Sequence, residues 1–244
     1  MNPRSLFALV LCGWLGAAAE QTPAGAGGAN HCSATQPWPN RFTLEFSVVA
    51  SRGALALEGD NELSYALEGN QYLLRSSTRS LAYRASQESR GTLVGNVLRP
   101  REYMEQSQRR GAQRVHFDWE GQSVTFTANA EQPGRTAPML QDRLSLLLQL
   151  GERLRAQIDG EVELPVAGVR RITPYRFERL GQEVVEVPAG RFHAVRVARQ
   201  SDDRSDRIEA WLAPSQCWLP VKVRFVDDDH GLVLENQLRK AVFD

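Results

Sequence analysis

The segment from Met139 to Leu154, MLQDRLSLLLQLGERL, constrains the fold of this 244-residue chain more than any other stretch. It carries six leucines between residues 144 and 154, and between Asp142 and Arg155 it has no β-branched or aromatic residue. Leucine favours helices, whereas branched and aromatic side chains favour strands. The segment therefore predicts a helix that is apolar almost all round, which normally means burial on every side. The same leucines also alternate along the chain, so a strand is the alternative interpretation.

Local signals agree with a helix in this segment. Pro138 precedes it, Asp142 suits an N-cap or first turn, and Gly151 could end the helix early. Burial on every side would include Leu147. We therefore expect Leu147→Asp to abolish folding, because an unpaired buried carboxylate costs several kcal/mol of a total stability of roughly 5–15 kcal/mol.

Most of the chain after Trp38 has the alternating pattern of half-buried strands. Short polar or Gly-containing stretches, such as Glu120–Gln122 and Pro188–Gly190, separate the alternating segments and predict turns. The candidate strands lie near residues 42–48, 63–67, 72–75, 81–85, 115–119, 124–128, 161–166, 172–178, 183–187, 192–199, 207–213, 219–226 and 232–238. Many regularly spaced strands with one good helix predict a mainly β fold. We expect a curved antiparallel sheet, a roll or half-barrel, packed around one apolar helix in a single domain over residues 38–244.

The N-terminus has the pattern of a secretory signal peptide. Arg4 precedes an apolar run from Leu6 to Leu15, and three alanines then predict cleavage before Glu20. An N-terminal membrane anchor and a lipoprotein site at Cys12 are the alternatives. Residues 20–37 are rich in Ala, Gly and Thr and predict a disordered leader. We therefore expect a periplasmic protein with no transmembrane segment after signal cleavage.

Removal of residues 1–19 would take away Cys12 and one basic residue, leaving 28 basic and 29 acidic residues. A net charge of −1 argues against a nucleic-acid partner, which requires a basic surface. The local basic run over residues 99–114 is interrupted by Glu102 and Glu105. It predicts a solvated hairpin, or a contact with an anionic lipid headgroup or an acidic partner. The remaining cysteines, Cys32 and Cys217, form an even pair that predicts a disulfide in an oxidising compartment; two unpaired thiols are the alternative.

No motif indicates catalysis, a metal or a cofactor. The four histidines lack metal-ligand spacing, and no G-x-S-x-G elbow occurs. Asp118, between two aromatic residues, and Ser145, three positions after Asp142, are most simply a strand residue and a turn hydroxyl. The acidic run Asp227–His230 predicts a solvated hairpin tip rather than a calcium loop. We therefore expect a protein that is not an enzyme.

Several short pieces of the sequence, taken in their order along the chain, resemble a bacterial family of exported proteins known as domain-of-unknown-function family 3108. The pieces include Pro37-Trp38-Pro39, Ser89-Arg90-Gly91, Arg99 to Tyr103, Phe117-Asp118-Trp119, Gln141 to Ser145, Val187 to Phe192, Trp211-Leu212-Ala213 and Trp218 to Lys222. The resemblance covers roughly residues 38–240 and implies a periplasmic, mostly antiparallel β protein. It supplies no activity. At the level of architecture such a protein is similar to periplasmic proteins that hold lipids in a half-open sheet.

These observations predict a noncatalytic envelope protein that binds or carries a hydrophobic ligand, such as a lipid or acyl chain. The residues expected to line its lumen are Phe42, Leu44, Phe46, Leu147, Leu148 and Trp211. One alternative is an envelope-assembly module that binds another protein, with a filled interior and an exposed apolar patch. The other is a hydrolase of an envelope polymer, in which a cleft would join Asp118 to a second carboxylate.

Overall fold

The computed structural model describes residues 32, 37–81, 83–108, 110–156, 160–200 and 206–244. One helix, α1 (Leu146–Arg155), and a short 3₁₀ turn (Pro214–Gln216) accompany fifteen strands. The strands are β1 (Arg41–Arg52), β2 (Leu55–Glu68), β3 (Gln71–Ser80), β4 (Arg84–Val94), β5 (Val97–Ser107), β6 (Arg110–Asp118), β7 (Ser123–Phe126), β8 (Gly134–Arg135), β9 (Gln141–Asp142), β10 (Val162–Ala167), β11 (Ile172–Val187), β12 (Gly190–Gln200), β13 (Asp206–Ala213), β14 (Leu219–Asp227) and β15 (Leu232–Phe243). The predicted signal peptide and most of the predicted leader lie outside the described residues.

All fifteen strands belong to one sheet, in the order β8-β7-β6-β5-β4-β3-β2-β1-β15-β14-β13-β12-β11-β10-β9. Neighbouring strands are antiparallel, except that β9 pairs with β10 in parallel. The first long strand, β1, pairs with the last, β15, so the two halves of the chain form one continuous surface. The sheet does not close into a barrel. The predicted fold class, a curved antiparallel sheet packed around one helix, is confirmed.

One face of this sheet carries the core, and we call it the inner face. On β1 the side chains of Phe42, Leu44 and Phe46 point to it, and all three are at most 3% exposed. The pairing continues this face in both directions, for example from Val48 through Asn236, Val223 and Ala210 to Val197. The segment from Leu140 to Leu154 packs against the inner face, because its leucines share clusters with these strand residues.

Helix α1 is not buried on every side, and this part of the prediction is wrong. Leu148 and Leu150 are fully buried, whereas Leu147 is half-buried and Arg153 and Arg155 reach solvent. Two polar side chains of the helix are also buried. Gln149 accepts a hydrogen bond from the backbone N–H of Leu98 at 2.9 Å. The helix tolerates the burial of these polar side chains because their polar groups are hydrogen-bonded. The leucines of the helix can be buried on the side that faces the sheet while the other side of the helix contacts water.

Other boundaries differ from the sequence interpretation for local reasons. Strand β11 runs from Ile172 to Val187 without a break where two strands were expected, and a bulge between Arg179 and Gly181 accommodates the interruption. Asp142 lies before the helix, in β9, and its carboxylate accepts the backbone N–H groups of Leu144 and Ser145, each at 2.8 Å. It therefore holds the turn that leads into α1.

The end of the sheet next to the helix is tied down covalently. Cys32 and Cys217 form a disulfide with a Cα–Cα distance of 5.1 Å. The backbone of Cys217 and Trp218 is left-handed, with φ values of 55° and 59°. The carbonyl oxygen of Trp218 lies so close to Gly151 of α1 that an added Cβ would be 2.2 Å from it. The disulfide, this turn and the helix therefore form one packed unit. Within the described residues no helix has the length and apolarity of a membrane span.

Candidate functional site

The inner face is uncovered at the end of the strands away from the helix. Helix α1 reaches the β4–β5 turn through Gln149 and the start of β14 through Gly151. Strand β14 continues from there to Asp227, and its partners continue with it. In the part of the chain that the structure describes, no helix lies above the inner-face positions near these far ends. We call this region the open end.

An apolar row crosses the open end. Its members are opposite one another on five adjacent strands, from β2 through β1, β15 and β14 to β13: Leu57, Ala50, Leu234, Phe225 and Ile208. The row lies on the same face as Phe42 and the rest of the core, because strand alternation carries the face along β1. We keep the name apolar row for these five residues.

Several of these side chains are exposed although they belong to the core face. Leu57 is 51% and Phe225 36% exposed, whereas Ile208 at the end of the row is 8% exposed. Beyond the row, Leu55 and Leu232 flank Arg52 and are 75% and 38% exposed. Single exposed apolar residues are ordinary, but a contiguous group on the concave face of a sheet indicates a binding surface.

A band of polar side chains lies beside the apolar row on the inner face of β2 to β6. The register places these residues on the core face: Asn61, Ser76, Thr78, Gln87, Glu105 and Gln113. We call them the polar band. All six are half-buried.

Hydrogen bonds organise the polar band. The amide of Asn61 donates to the hydroxyls of Ser76 and Thr78, both at 2.8 Å. The amide of Gln87 donates to the Tyr103 hydroxyl at 3.0 Å, and that hydroxyl donates to Glu105 at 2.9 Å. Burial raises the pKa of Tyr103, and the neighbouring carboxylate of Glu105 raises it further. The hydroxyl therefore stays protonated and available as a donor.

Arg143 is the cation next to this band. Its guanidinium lies 3.6 Å from the Glu105 carboxylate. It also packs against Gly168, where an added Cβ would lie 3.2 Å from the guanidinium. Because Glu105 already has an arginine and a tyrosine as partners, the band carries no uncompensated charge of its own.

A fully buried polar network lies beneath the band. The Asp142 carboxylate accepts the hydroxyl of Ser89, in addition to the backbone N–H groups of Leu144 and Ser145. The Ser89 hydroxyl also bonds to Tyr72 at 2.9 Å. Burial raises the pKa of Asp142, although these hydrogen bonds oppose the shift. Ser89, Asp142 and Ser145 are 0% exposed, so this arrangement anchors the segment before α1 to the sheet.

The structure brings together five of the six residues predicted to line a lumen. One cluster, in which they pack against other side chains, contains Phe42, Leu44, Phe46, Leu148 and Trp211. The half-buried Leu147 belongs to the edge of the second cluster.

Trp211 is a buried member of the cluster that contains Phe42, with 6% of its surface exposed. Its ring is also contacted by Arg196 at 5.2 Å and by Lys222 at 5.1 Å, and its N–H donates to Glu183. The indole is therefore packed among core side chains with its polar edge bonded.

The remaining candidates of the sequence have local roles. The exposed Asp118 accepts the backbone N–H of Gly121 at 2.8 Å and so closes the β6–β7 turn. Asp227 accepts the backbone N–H of His230 at 3.0 Å in the β14–β15 turn. Trp119 donates to the carbonyl of Pro100 at 2.6 Å. In the basic run, Arg114 pairs with Glu102 and Arg99 covers the ring of Trp119, while Arg109 lies outside the described residues.

Sequence reasoning missed the apolar row and the polar band. Leu55 and Leu57 form an alternating pair, but nothing in the sequence says that the helix stops short of them. Asn61 lies two residues before Leu63 and therefore on the same face of the strand, which was a usable signal. A polar residue at a core-face position indicates that water reaches part of that face. Two depressions of about 200 and 310 Å³ also occur, but they lie on the outer face of β1 to β4 between charged side chains.

These features are those of a class of β-barrel-like proteins in which the sheet remains open. In this chain α1 covers one end of the inner face, and no helix of the described residues covers the other end. Within this class, the chain belongs to the family described as a protein of unknown function, DUF3108, whose profile matches residues 46–236. This confirms the resemblance found in the sequence. None of the curated proteins matches the chain.

One of three similar solved structures, the first of those that follow, supports the architecture. The β-barrel-like protein of the DUF1849 family from Brucella abortus is 11% identical, with a TM-score of 0.55 over 84% of this chain and 99% of that chain. The complex of MucA and MucB from Pseudomonas aeruginosa contains a chain that is 12% identical, with a TM-score of 0.30 over 82% of this chain and 51% of that chain. A DUF1329 family protein from Desulfovibrio piger is 10% identical, with a TM-score of 0.30 over 84% of this chain and 86% of that chain.

Proposed function

We propose that this protein is a noncatalytic binding protein of the bacterial periplasm that holds the acyl chain of a lipid on its apolar row. The observation that carries the proposal is the uncovered apolar row on the inner face of the sheet. Leu57 and Phe225 are partly exposed there, although the alternation of their strands makes them core residues. A hydrophobic ligand would complete the burial that α1 provides at the other end.

The length of the row supports an acyl chain as the occupant. Five adjacent strands span four gaps of about 4.8 Å, or roughly 19 Å. One leaflet of a bilayer, which an acyl chain crosses, is about half of the roughly 30 Å hydrocarbon core. A long acyl chain laid across the strands would therefore contact all five residues of the row. Burial of a Leu or Phe side chain contributes at most about 1.5–3 kcal/mol.

The small size of the surface favours a lipid over a large protein partner. A stable protein interface uses about 20–30 residues from each side. The exposed apolar side chains of the open end are four, namely Leu55, Leu57, Phe225 and Leu232. The concave inner face also suits a narrow chain. Binding is favoured over hydrolysis because the Asp118 carboxylate contacts turn backbone instead of a second carboxylate.

The test is binding of a fluorescent fatty acid to the exported protein and to matched variants. Leu57→Asn and Phe225→Asn change exposed residues of the row, so we expect unchanged melting temperatures and at least about tenfold weaker binding. Val49→Asn is the control, because Val49 is 40% exposed but points to the outer face of the neighbouring strand β1. Equal binding by the wild type and both row variants, or no binding by the wild type, would overturn the proposal.

The periplasmic location has its own test. N-terminal sequencing of the protein recovered from the periplasm is expected to begin near Glu20. Recovery from the cytoplasm with Met1 intact would contradict export.

A further inference from the structure

We infer that the lipid held at the open end has an uncharged, hydroxyl-rich head such as a sugar, which binds to the polar band. This inference rests on the proposed function, because it assigns the head of the same ligand. It follows from the position, the hydrogen-bonding capacity and the charge of the polar band.

The polar band is placed to receive the head of a lipid whose chain lies on the apolar row. Asn61 follows Leu57 by four residues on the same face of β2, a distance of about 13 Å along the strand. Gly59 lies between them and contributes no side chain. Strand β3 approaches closely at this position, because an added Cβ at Gly59 would lie 2.5 Å from the carbonyl oxygen of Arg79. No side chain of β2 therefore separates the row from the band, and a head joined to the chain reaches Asn61, Ser76 and Thr78.

The hydrogen bonds of the band leave groups available for a ligand that both donates and accepts. The hydroxyls of Ser76 and Thr78 accept from Asn61, and within the described part of the chain neither donates a hydrogen bond. The side-chain oxygen of Gln113 is buried and has no hydrogen-bond partner among the described residues. One hydroxyl group of a ligand can accept from the first two, and another can donate to the third, which lies three strands away on β6. A head with several hydroxyls matches this alternation of donors and acceptors better than a carboxylate, which only accepts.

The charge of the band favours a neutral head. Five of the six band residues are neutral, and the sixth, Glu105, is contacted by Tyr103 and Arg143. An anionic head placed within the band would lie near Glu105, while a cationic head would compete with Arg143. The exposed arginines Arg84 and Arg110 are the first residues of β4 and β6, at the rim of the sheet and outside the band. An anionic head would therefore stay at the rim and leave the band unpaired.

The experiment compares three amphiphiles with the same chain, each below its micelle concentration: dodecyl maltoside, dodecyl phosphate and dodecyltrimethylammonium. Calorimetric titration of the exported protein should show the maltoside binding at least about tenfold more tightly than the other two. Asn61→Leu and the nearly isosteric Thr78→Val should each weaken maltoside binding by about tenfold and leave dodecyltrimethylammonium binding unchanged. Thr78→Val retains the shape of the side chain, so its melting temperature serves as the folding control.

The outcomes separate this inference from the proposed function. Tightest binding of the phosphate or the ammonium compound, or unchanged maltoside binding by Asn61→Leu and Thr78→Val, would overturn the inference while leaving a lipid site intact. Leu57→Asn should weaken the binding of all three amphiphiles. If none of them binds the wild type, the proposed function itself fails.

Discussion

The buried carboxylate of Asp142 gives the sharpest test of how the helical segment is held on the sheet. In Asp142→Ala, three donors lose their acceptor: the Ser89 hydroxyl and the backbone N–H groups of Leu144 and Ser145. Each unsatisfied buried group costs about 1–3 kcal/mol, and the Ser89 hydroxyl can turn to Tyr72. We therefore expect a loss of about 3–5 kcal/mol, a large part of the roughly 5–15 kcal/mol that stabilises a typical domain.

Asp142→Asn is the matched variant. Its side-chain oxygen still accepts the two backbone N–H groups, and its amide can donate to the Ser89 oxygen once that hydroxyl turns to Tyr72. The free energy of unfolding at pH 7 should then change by no more than about 1 kcal/mol. Urea unfolding followed by intrinsic fluorescence measures both variants, and equal m-values show that the unfolded states are comparable.

The pH dependence of the free energy of unfolding tests the direction of the pKa shift of Asp142. Burial raises the pKa of Asp142 in the folded protein above its ordinary value. At a pH between the pKa of Asp142 in the unfolded protein and its higher pKa in the folded protein, the folded state holds a proton that the unfolded state has lost. The contribution of Asp142 to stability is therefore present at low pH and is lost as the pH rises through the folded pKa. The stability of the wild type relative to Asp142→Asn should increase from pH 7 toward pH 4, by at most about 1.4 kcal/mol per pH unit. A constant difference, or an Asn variant as unstable as the Ala variant, would refute this reasoning.

Two further predictions concern the packing of α1. Leu148→Ala should lower the free energy of unfolding by about 2–5 kcal/mol, because it leaves a cavity in the core. Leu147→Ala, at a half-buried position, should lower it by less than half as much in the same urea assay. Equal losses would show that the water-facing side of α1 is assigned wrongly. Gly151→Ala should destabilise by about 1–3 kcal/mol despite the better helix propensity of Ala, because the new Cβ would lie 2.2 Å from the Trp218 carbonyl oxygen. Gly111→Ala, where nothing lies within 4 Å of an added Cβ, should stay within about 0.5 kcal/mol of the wild type, and a stabilised Gly151→Ala would contradict the close contact.

Much of the local structure could be predicted from the chain. Alternation at Phe42, Leu44 and Phe46 predicted β1 and its buried face, because successive strand residues point to opposite sides. The leucines of residues 144–154 predicted a helix, since neither branched nor aromatic residues interrupt them. The pieces that resemble the DUF3108 family led to the correct family.

The path of the helix across the sheet could not be predicted. Composition alone made Leu147 seem as buried as Leu148, but the direction of a helical residue depends on what packs above it. The buried bonds of Asp142 to Ser89, 53 positions earlier in the chain, also depend on long-range pairing.

Local sequence patterns were enough to show which residues alternate, where one helix forms and to which family the chain belongs, because these depend on neighbours along the backbone. Long-range packing places α1 over one end of the inner face and leaves Leu57 and Phe225 exposed at the other. That outcome depends on the length of the helix relative to the strands and on the contacts that fix it near Trp218. Neither is encoded in any local pattern.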